Sequence, residues 1–156
     1  MTKPFSLTPL LNLAEHDNES AIRKLGQLNQ LQQSAQQKLE TLLDFRRDYQ
    51  AQMQQGVQEG MSPVELRNFQ QFIYKLDEAI AQQRKQLEKS QASTQLGRDE
   101  FNATQRKLKS LDTLRQRHIE KQKKIAEQAE QKALDEHTGQ STARKMSHQQ
   151  DPENES

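Results

Sequence analysis

The fold depends on a stretch that reads Gly56-Val57-Gln58-Glu59-Gly60-Met61-Ser62-Pro63-Val64-Glu65. Glycine and proline both interrupt helices, and in the interior of this chain they occur close together only here. Ser62 is suited to cap a helix, Pro63 to fill its first position, and Glu65 to complete a capping box. We therefore predict a turn that is followed at once by a new helix.

The residues before this turn carry a heptad repeat of apolar side chains. Eleven of the fourteen residues at the two repeating positions are apolar, with unbroken spacings of three and four. This pattern is typical of a coiled-coil helix and not of a disordered chain. One position carries Leu7, Ala14, Ala21, Leu28, Ala35, Leu42 and Tyr49, and the other carries Leu11, Asn18, Leu25, Gln32, Leu39, Arg46 and Met53.

The residues after the turn carry a second heptad seam, from Leu66 to Arg115, which is weak in its middle. Antiparallel pairing with the first seam compensates for this weakness when the numbers of facing residues sum to 122. Large side chains then face small ones, as close packing requires. Polar Asn18 faces Thr104, and Lys24 faces Glu100 on the flank. A shift by one heptad would leave either no workable turn or a loop of more than about twenty residues.

These patterns predict an all-α fold, an antiparallel two-helix coiled-coil hairpin whose longer second helix projects beyond the first. The end of the chain is polar, contains Gly139 and Pro152 and lacks a seam, so we expect it to be a disordered tail. The expected boundaries are one hairpin domain over residues 1–137, with helix one at about 7–53, the turn at 54–62 and helix two at about 63–137, and a tail at 138–156.

The composition argues against several classes of protein. Hydrophobic residues make up 31% of the chain and the mean hydropathy is −1.15, so we do not expect a broad globular core. The absence of cysteine removes disulfides and thiolate metal sites and suits a reducing compartment. The sequence lacks the pattern of a signal peptide or a membrane span, which predicts a cytoplasmic protein. It also lacks phosphate-binding, dinucleotide-binding and zinc-protease motifs, so we expect no enzyme activity, cofactor or metal.

A one-sided group of apolar residues accompanies the seam near the turn. Phe45, Phe72 and Ala79 occupy the flanking position that an antiparallel pair brings to one edge. The opposite flank is mostly polar at this level, and Leu43 is its only apolar member. The rings either fold over and thicken a thin core, or they form a docking site for another protein. We favour docking, because a two-helix rod is too thin to bury them.

A basic stretch runs from Arg106 to Lys124, where eight Lys and Arg residues accompany only Asp112 and Glu120. Such a stretch is consistent with a solvated helix face, with a surface for an acidic protein, or with a nucleic-acid contact. It contains no interleaved aromatic residue, and no nucleic-acid-binding module is recognisable. These two observations favour a protein partner.

Two motifs resemble those of the FliJ family of bacterial flagellar export proteins. The resemblance covers roughly residues 7–115, and the distance between the motifs agrees as well. The sequence departs from the family pattern at Phe45 and Phe69, where tyrosine is common. The motifs read Leu42-Leu43-Asp44-Phe45-Arg46-Arg47-Asp48-Tyr49 and Phe69-Gln70-Gln71-Phe72-Ile73-Tyr74-Lys75-Leu76-Asp77-Glu78-Ala79-Ile80.

The resemblance implies a cytoplasmic, stalk-like coiled coil of the flagellar type III export apparatus, associated peripherally with the inner membrane through that apparatus. Its implied partners are the hexameric export ATPase, the cytoplasmic domain of the export gate protein, and export chaperones, with no nucleic acid and no direct membrane insertion. The gate-binding surface of the family corresponds to Leu42, Phe45, Tyr49, Phe72, Leu76 and Ala79. The open end of the hairpin would enter the ATPase ring, and we assign this contact to Lys107, Lys109, Arg115, Arg117 and Lys121.

Two other functions stay open from the sequence. A generic coiled-coil tether would self-associate and would tolerate changes at Phe45 and Phe72. A nucleic-acid-associated helical protein would bind through the basic stretch from Arg106 to Lys124, and its affinity would fall steeply with salt.

Overall fold

The computed structural model describes residues 3–149, and this part of the chain is all-α. Helix α1 spans Thr8–Glu59 and helix α2 spans Pro63–Gln149, and the two helices pack against each other, as predicted. The chain divides into two compact units. The hairpin unit is Leu13–Leu108, and the terminal unit contains, among the described residues, 3–12 and 109–149.

The turn of the hairpin unit begins with a glycine C-cap at the end of α1. Gly60 has a φ of 93°, which a residue with a Cβ rarely adopts. The Gly60 N–H donates to the Val57 carbonyl at 3.3 Å and the Met61 N–H donates to the Gly56 carbonyl at 2.9 Å. This pair of bonds satisfies carbonyls that the end of the helix leaves free. Helix α1 therefore ends at Glu59 and not near residue 53, because Gly56 stays helical.

The start of α2 agrees with the predicted cap. The Ser62 hydroxyl accepts a hydrogen bond from the Glu65 N–H at 3.3 Å, and the Ser62 carbonyl accepts one from the Leu66 N–H at 3.0 Å. Pro63 is the first helical residue, where its missing N–H costs no hydrogen bond. The turn between the helices is consequently only residues 60–62.

The antiparallel register of the hairpin unit is the predicted one. The Thr104 hydroxyl lies 3.2 Å from Asn18 Oδ1, and Lys24 Nζ lies 3.0 Å from Glu100 Oε2. Every seam position of both helices is buried or half-buried. The buried residues of this unit are Ala14, Ala21, Ala35, Leu39, Leu76, Ile80, Thr94 and Gly97.

The two helices approach each other closely at the weak middle of the second seam. A Cβ added to Gly97 would lie 2.6 Å from Leu28 Cδ1, so the facing leucine uses the space that glycine leaves. The Thr94 hydroxyl is buried and lies 2.9 Å from the Ser90 carbonyl and 3.3 Å from the Leu28 carbonyl. Small and polar residues here allow the helices to pack closely without leaving a buried hydroxyl unsatisfied.

In the terminal unit, the segment before α1 packs on α2. His118 Nε2 donates to the Lys3 carbonyl at 2.8 Å, and the rings of Phe5 and His118 are 5.6 Å apart. The Lys3 N–H reaches Gln122 Oε1 at 3.4 Å. Leu11 is buried, and the other described apolar residues of this unit are half-buried or exposed. From Lys123 to Ser147 all side chains are exposed.

The prediction of a disordered tail is wrong for residues 138–149, which continue α2. Gly139 costs a helix interior only about 1 kcal/mol relative to alanine. The Thr142 hydroxyl donates to the Thr138 carbonyl at 2.9 Å within this turn of helix. The helix-breaking Pro152 comes later, and residues 150–156 lie outside the described part of the chain.

Candidate partner-docking site

Three aromatic rings meet beside the turn of the hairpin unit. Tyr49 of α1 stacks on Phe72 of α2 with ring centroids 4.2 Å apart and an angle of 29° between the planes. Tyr49 also packs against Phe69, with centroids 5.5 Å apart and a tilt of 56°. Because Tyr49 is a seam residue, its ring supports Phe72 at the edge of the seam.

The six residues predicted to bind the export gate combine a buried base with exposed rings. We call this group the tip strip, and its members are Leu42, Phe45, Tyr49, Phe72, Leu76 and Ala79. Leu76 is buried, and Leu42, Tyr49 and Ala79 are half-buried. Phe45 keeps 54% of its surface exposed and Phe72 keeps 40%. Neither phenylalanine is therefore buried in a core, although the Tyr49 stack covers part of Phe72.

The opposite flank of the hairpin unit is mostly polar at this level. Arg46 occupies a seam position, but its guanidinium pairs with Asp77 and donates to Gln50 Oε1 at 2.9 Å. The hydrogen bond and the charge of Asp77 raise the pKa of Arg46 above its ordinary value. Arg46, a charged residue at a seam position, thus places its guanidinium in polar contacts on the flank. Its side chain lines an open groove of about 500 Å³ with Leu43, Asp77, Ile80, Ala81 and Arg84.

The five cations predicted to contact the ATPase fall in both units. Lys107 belongs to the hairpin unit and is exposed. Lys109, Arg117 and Lys121 belong to the terminal unit and are also exposed. Arg115 is half-buried in the terminal unit, and its Nη2 lies 2.8 Å from Asp112 Oδ1. Arg115 is therefore less available to a partner than the other three, for which no ion pair is found among residues 3–149.

Sequence reasoning missed two features. Tyr74 is 65% exposed on the outward face of α2, beside an open groove of about 550 Å³ along this helix. Tyr74 lies within the second motif, but its heptad position faces away from the seam, so the heptad pattern did not mark it as a candidate. The contact of Lys3 and Phe5 with His118 was missed as well. The apolar Phe5, two residues before the first seam leucine, was the available signal.

Among residues 3–149, no group of three or more His, Asp or Glu side chains is placed to hold a metal ion. The grooves found along the helices are open and not enclosed. Neither described helix combines the length and hydrophobicity that a membrane crossing requires.

Comparison with known proteins identifies the family. The family model described as "FliJ: Flagellar FliJ protein" matches residues 2–147. The Flagellar FliJ protein of Escherichia coli (strain K12) is 28% identical over 145 residues, which cover 93% of this chain and 99% of that protein. The Flagellar FliJ protein of Salmonella typhi shows the same identity and coverage. The chain therefore belongs to the FliJ family of flagellar proteins.

Proposed function

We propose that this chain is a non-enzymatic stalk of the flagellar export apparatus that binds the hexameric export ATPase and links it to the export gate. Family membership makes the chain a component of that apparatus. The finer proposal is that the tip strip docks on the cytoplasmic domain of the gate protein and that the terminal cations contact the ATPase ring. Export chaperones are the third class of partner in this proposal.

The observation that carries the proposal is the one-sided exposure of Phe45 and Phe72. A solvated helix gains nothing from exposed phenylalanine rings, whereas an interface uses aromatic anchors for much of its binding energy. The stack with Tyr49 limits the freedom of the Phe72 ring before binding. An ordered ring loses less conformational entropy when a partner covers it.

The charges of the terminal unit support the ATPase contact. Lys109, Arg117 and Lys121 are exposed, and they would attract an acidic surface inside a ring. Aromatic residues that would stack on bases do not interleave this stretch, which favours a protein over a nucleic acid. Binding through these cations would place the chain in the cytoplasm, peripherally associated with the inner membrane through the apparatus.

The absence of catalysis is also part of the proposal. Open grooves along a two-helix surface do not exclude water from a reacting group, and enclosed sites are the rule for enzymes. The expected work of the chain is therefore mechanical or organisational, through two binding surfaces at different places on the sequence.

A bridging assay tests the proposal. The ATPase hexamer is immobilised, and the cytoplasmic domain of the gate protein is added with or without this chain. We expect the gate domain to be retained only when the chain is present, and to be lost with the Phe72→Asp variant. Tyr74→Asp is the matched control, because it changes an exposed aromatic residue on the same helix outside the tip strip. Retention without the chain, or with Phe72→Asp at full strength, would contradict the proposal.

A further inference from the structure

Two exposed leucines lie on one flank of the terminal unit. Leu10 of α1 keeps 48% of its surface exposed, and Leu114 of α2 keeps 40%. His118 donates to the Lys3 carbonyl, so these two segments keep the predicted antiparallel register. In that register Leu10 and Leu114 face each other on the flank. Leu11, the next residue of α1, is buried in the seam, so the two leucines extend the apolar seam onto the surface.

The opposite flank of the terminal unit is polar at this level. By heptad position it carries Thr8 and Asp112. The Thr8 hydroxyl donates to the Phe5 carbonyl at 2.7 Å, and Asp112 pairs with Arg115. The apolar side chains are therefore one-sided at this level, as they are in the tip strip.

The charges on the Leu114 side of α2 have one sign. At about 100° of rotation per residue, Lys121 lies within about 20° of Leu114 around the helix and Arg117 within about 60°. Both cations are exposed. The carboxylates of residues 109–124 are Asp112 and Glu120, which lie about 160° and about 120° away. A partner that covers the leucines therefore meets positive charge beside them.

We propose that Leu10, Leu114, Arg117 and Lys121, which we call the leucine face, bind the export ATPase at an apolar patch bordered by carboxylates. The identity of this partner rests on the proposed function. The inference adds an apolar centre to the contact and confines the contact to one side of α2. Lys109 lies about 140° from Leu114 around the helix and is therefore outside the face.

The two kinds of residue in the leucine face have different roles. Cations attract an acidic surface over a distance and set the orientation of the complex, but added salt screens them. Burial of leucine removes apolar surface from water and does not depend on counterions. The leucines should therefore maintain the contact at salt concentrations that weaken the contribution of the cations.

Affinity measurements with the full chain and the ATPase hexamer test the apolar centre. We expect Leu114→Ala to weaken binding about tenfold at both low and high salt, because a buried leucine loses several apolar groups on truncation. Leu10→Ala changes the same face from α1 and should act in the same direction. Alanine is the best helix former, so both variants should stay helical, which circular dichroism checks.

The matched control is Ile119→Ala. Ile119 keeps 51% of its surface exposed and lies on the other side of α2, about 140° from Leu114, so this variant should bind like the native chain. If the native chain binds the hexamer and Leu114→Ala binds equally well, the leucine face is wrong while the proposed ATPase contact stands. If the native chain does not bind the hexamer, both are wrong.

Site-specific cross-linking tests whether one side of α2 faces the ATPase. The chain has no cysteine, so Leu114→Cys and Ile119→Cys each accept a single benzophenone maleimide before the hexamer is added. Irradiation should cross-link the ATPase to position 114 and much less to position 119. Equal cross-linking from the two positions would indicate that the ATPase surrounds the helix, and it would overturn the one-sided contact.

Discussion

Tyr49 lies against Phe72 in a stacked arrangement, with ring centroids 4.2 Å apart, so a seam residue of α1 supports an exposed ring of α2. Through this stack, a residue that holds the two helices together also supports a residue of the proposed docking surface. Phe72 keeps 40% of its surface exposed in spite of this contact. The ring is therefore held in position and still available to a partner.

The first prediction separates support from contact. Tyr49→Leu keeps an apolar seam residue but removes the stack, which contributes about 0.5–1.5 kcal/mol beyond surface burial. We expect a modest loss of stability by thermal unfolding and a weaker affinity for the gate domain, although Phe72 is unchanged. If the Tyr49→Leu variant binds the gate domain with the same affinity as the native chain, the stack does not orient the Phe72 ring.

The second prediction concerns the register of the hairpin unit. Cysteines at positions 21 and 101, introduced as Ala21→Cys and Phe101→Cys, should form an intramolecular disulfide under mild oxidation. The adjacent contacts of Lys24 with Glu100 and of Asn18 with Thr104 place both positions in one layer. The control pairs Ala14→Cys with Phe101→Cys, which lie about 10 Å apart along the helices. A disulfide in the control pair but not in the first would refute the register.

The third prediction compares two helical glycines. Gly26→Ala should raise the free energy of unfolding by about 0.5–1 kcal/mol, because alanine is the better helix former. A Cβ at Gly26 meets nothing within 4 Å, whereas one at Gly97 would lie 2.6 Å from Leu28 Cδ1. Gly97→Ala should therefore be the less stable variant by about 1 kcal/mol or more, since overpacking costs about 1–3 kcal/mol. Urea unfolding of both variants measures the difference, and equal stabilisation would argue against close approach at Gly97.

The fourth prediction concerns the exposed cations of the terminal unit. Replacing Lys109, Arg117 and Lys121 together by glutamine should weaken ATPase binding about tenfold, because exposed ion pairs contribute only about 0–1 kcal/mol each. The affinity of the variant should also depend less on salt. Replacing the exposed cations Lys85, Lys89 and Arg98 instead gives a control with the same change in net charge. An equal loss in both triple variants would indicate bulk charge and not a localised contact.

The hairpin and its register were predictable because local signals agreed with long-range ones. Ser62 and Pro63 marked the start of α2, and the pairing of Asn18 with Thr104 fixed the alignment. The end of α1 was placed too early, because Gly56 suggested a break, whereas Gly56 is helical and the positive φ belongs to Gly60. Glycine is tolerated within a helix at modest cost, so its presence alone does not fix a boundary.

The site was only partly predictable, because exposure depends on how side chains turn at the flank. Heptad position identified Phe45 and Phe72 as flanking residues, but it did not reveal the stack with Tyr49. The heptad pattern placed the charged Arg46 at a seam position, and it did not show that the guanidinium pairs with Asp77. Long side chains can leave a seam by rotating about several bonds, which a heptad pattern does not encode.

The central claim is that the tip strip is a binding surface and not a thickened core. Phe72→Ala distinguishes the two, because truncation in a true core costs about 3–5 kcal/mol. At this half-exposed position we expect about 1 kcal/mol. A lost interface anchor, in contrast, should cost about 2 kcal/mol or more of binding free energy. The control is Tyr74→Ala, which removes an exposed ring from the same helix outside the strip.

The decisive measurement is calorimetric titration of the gate protein's cytoplasmic domain with Phe72→Ala and Tyr74→Ala, beside thermal unfolding of both variants by circular dichroism. The account predicts that Phe72→Ala stays folded with a slightly lower melting temperature and binds at least about thirtyfold more weakly, while Tyr74→Ala binds like the native chain. Native-like binding by Phe72→Ala, or a loss of binding that appears only as the protein unfolds, would contradict it.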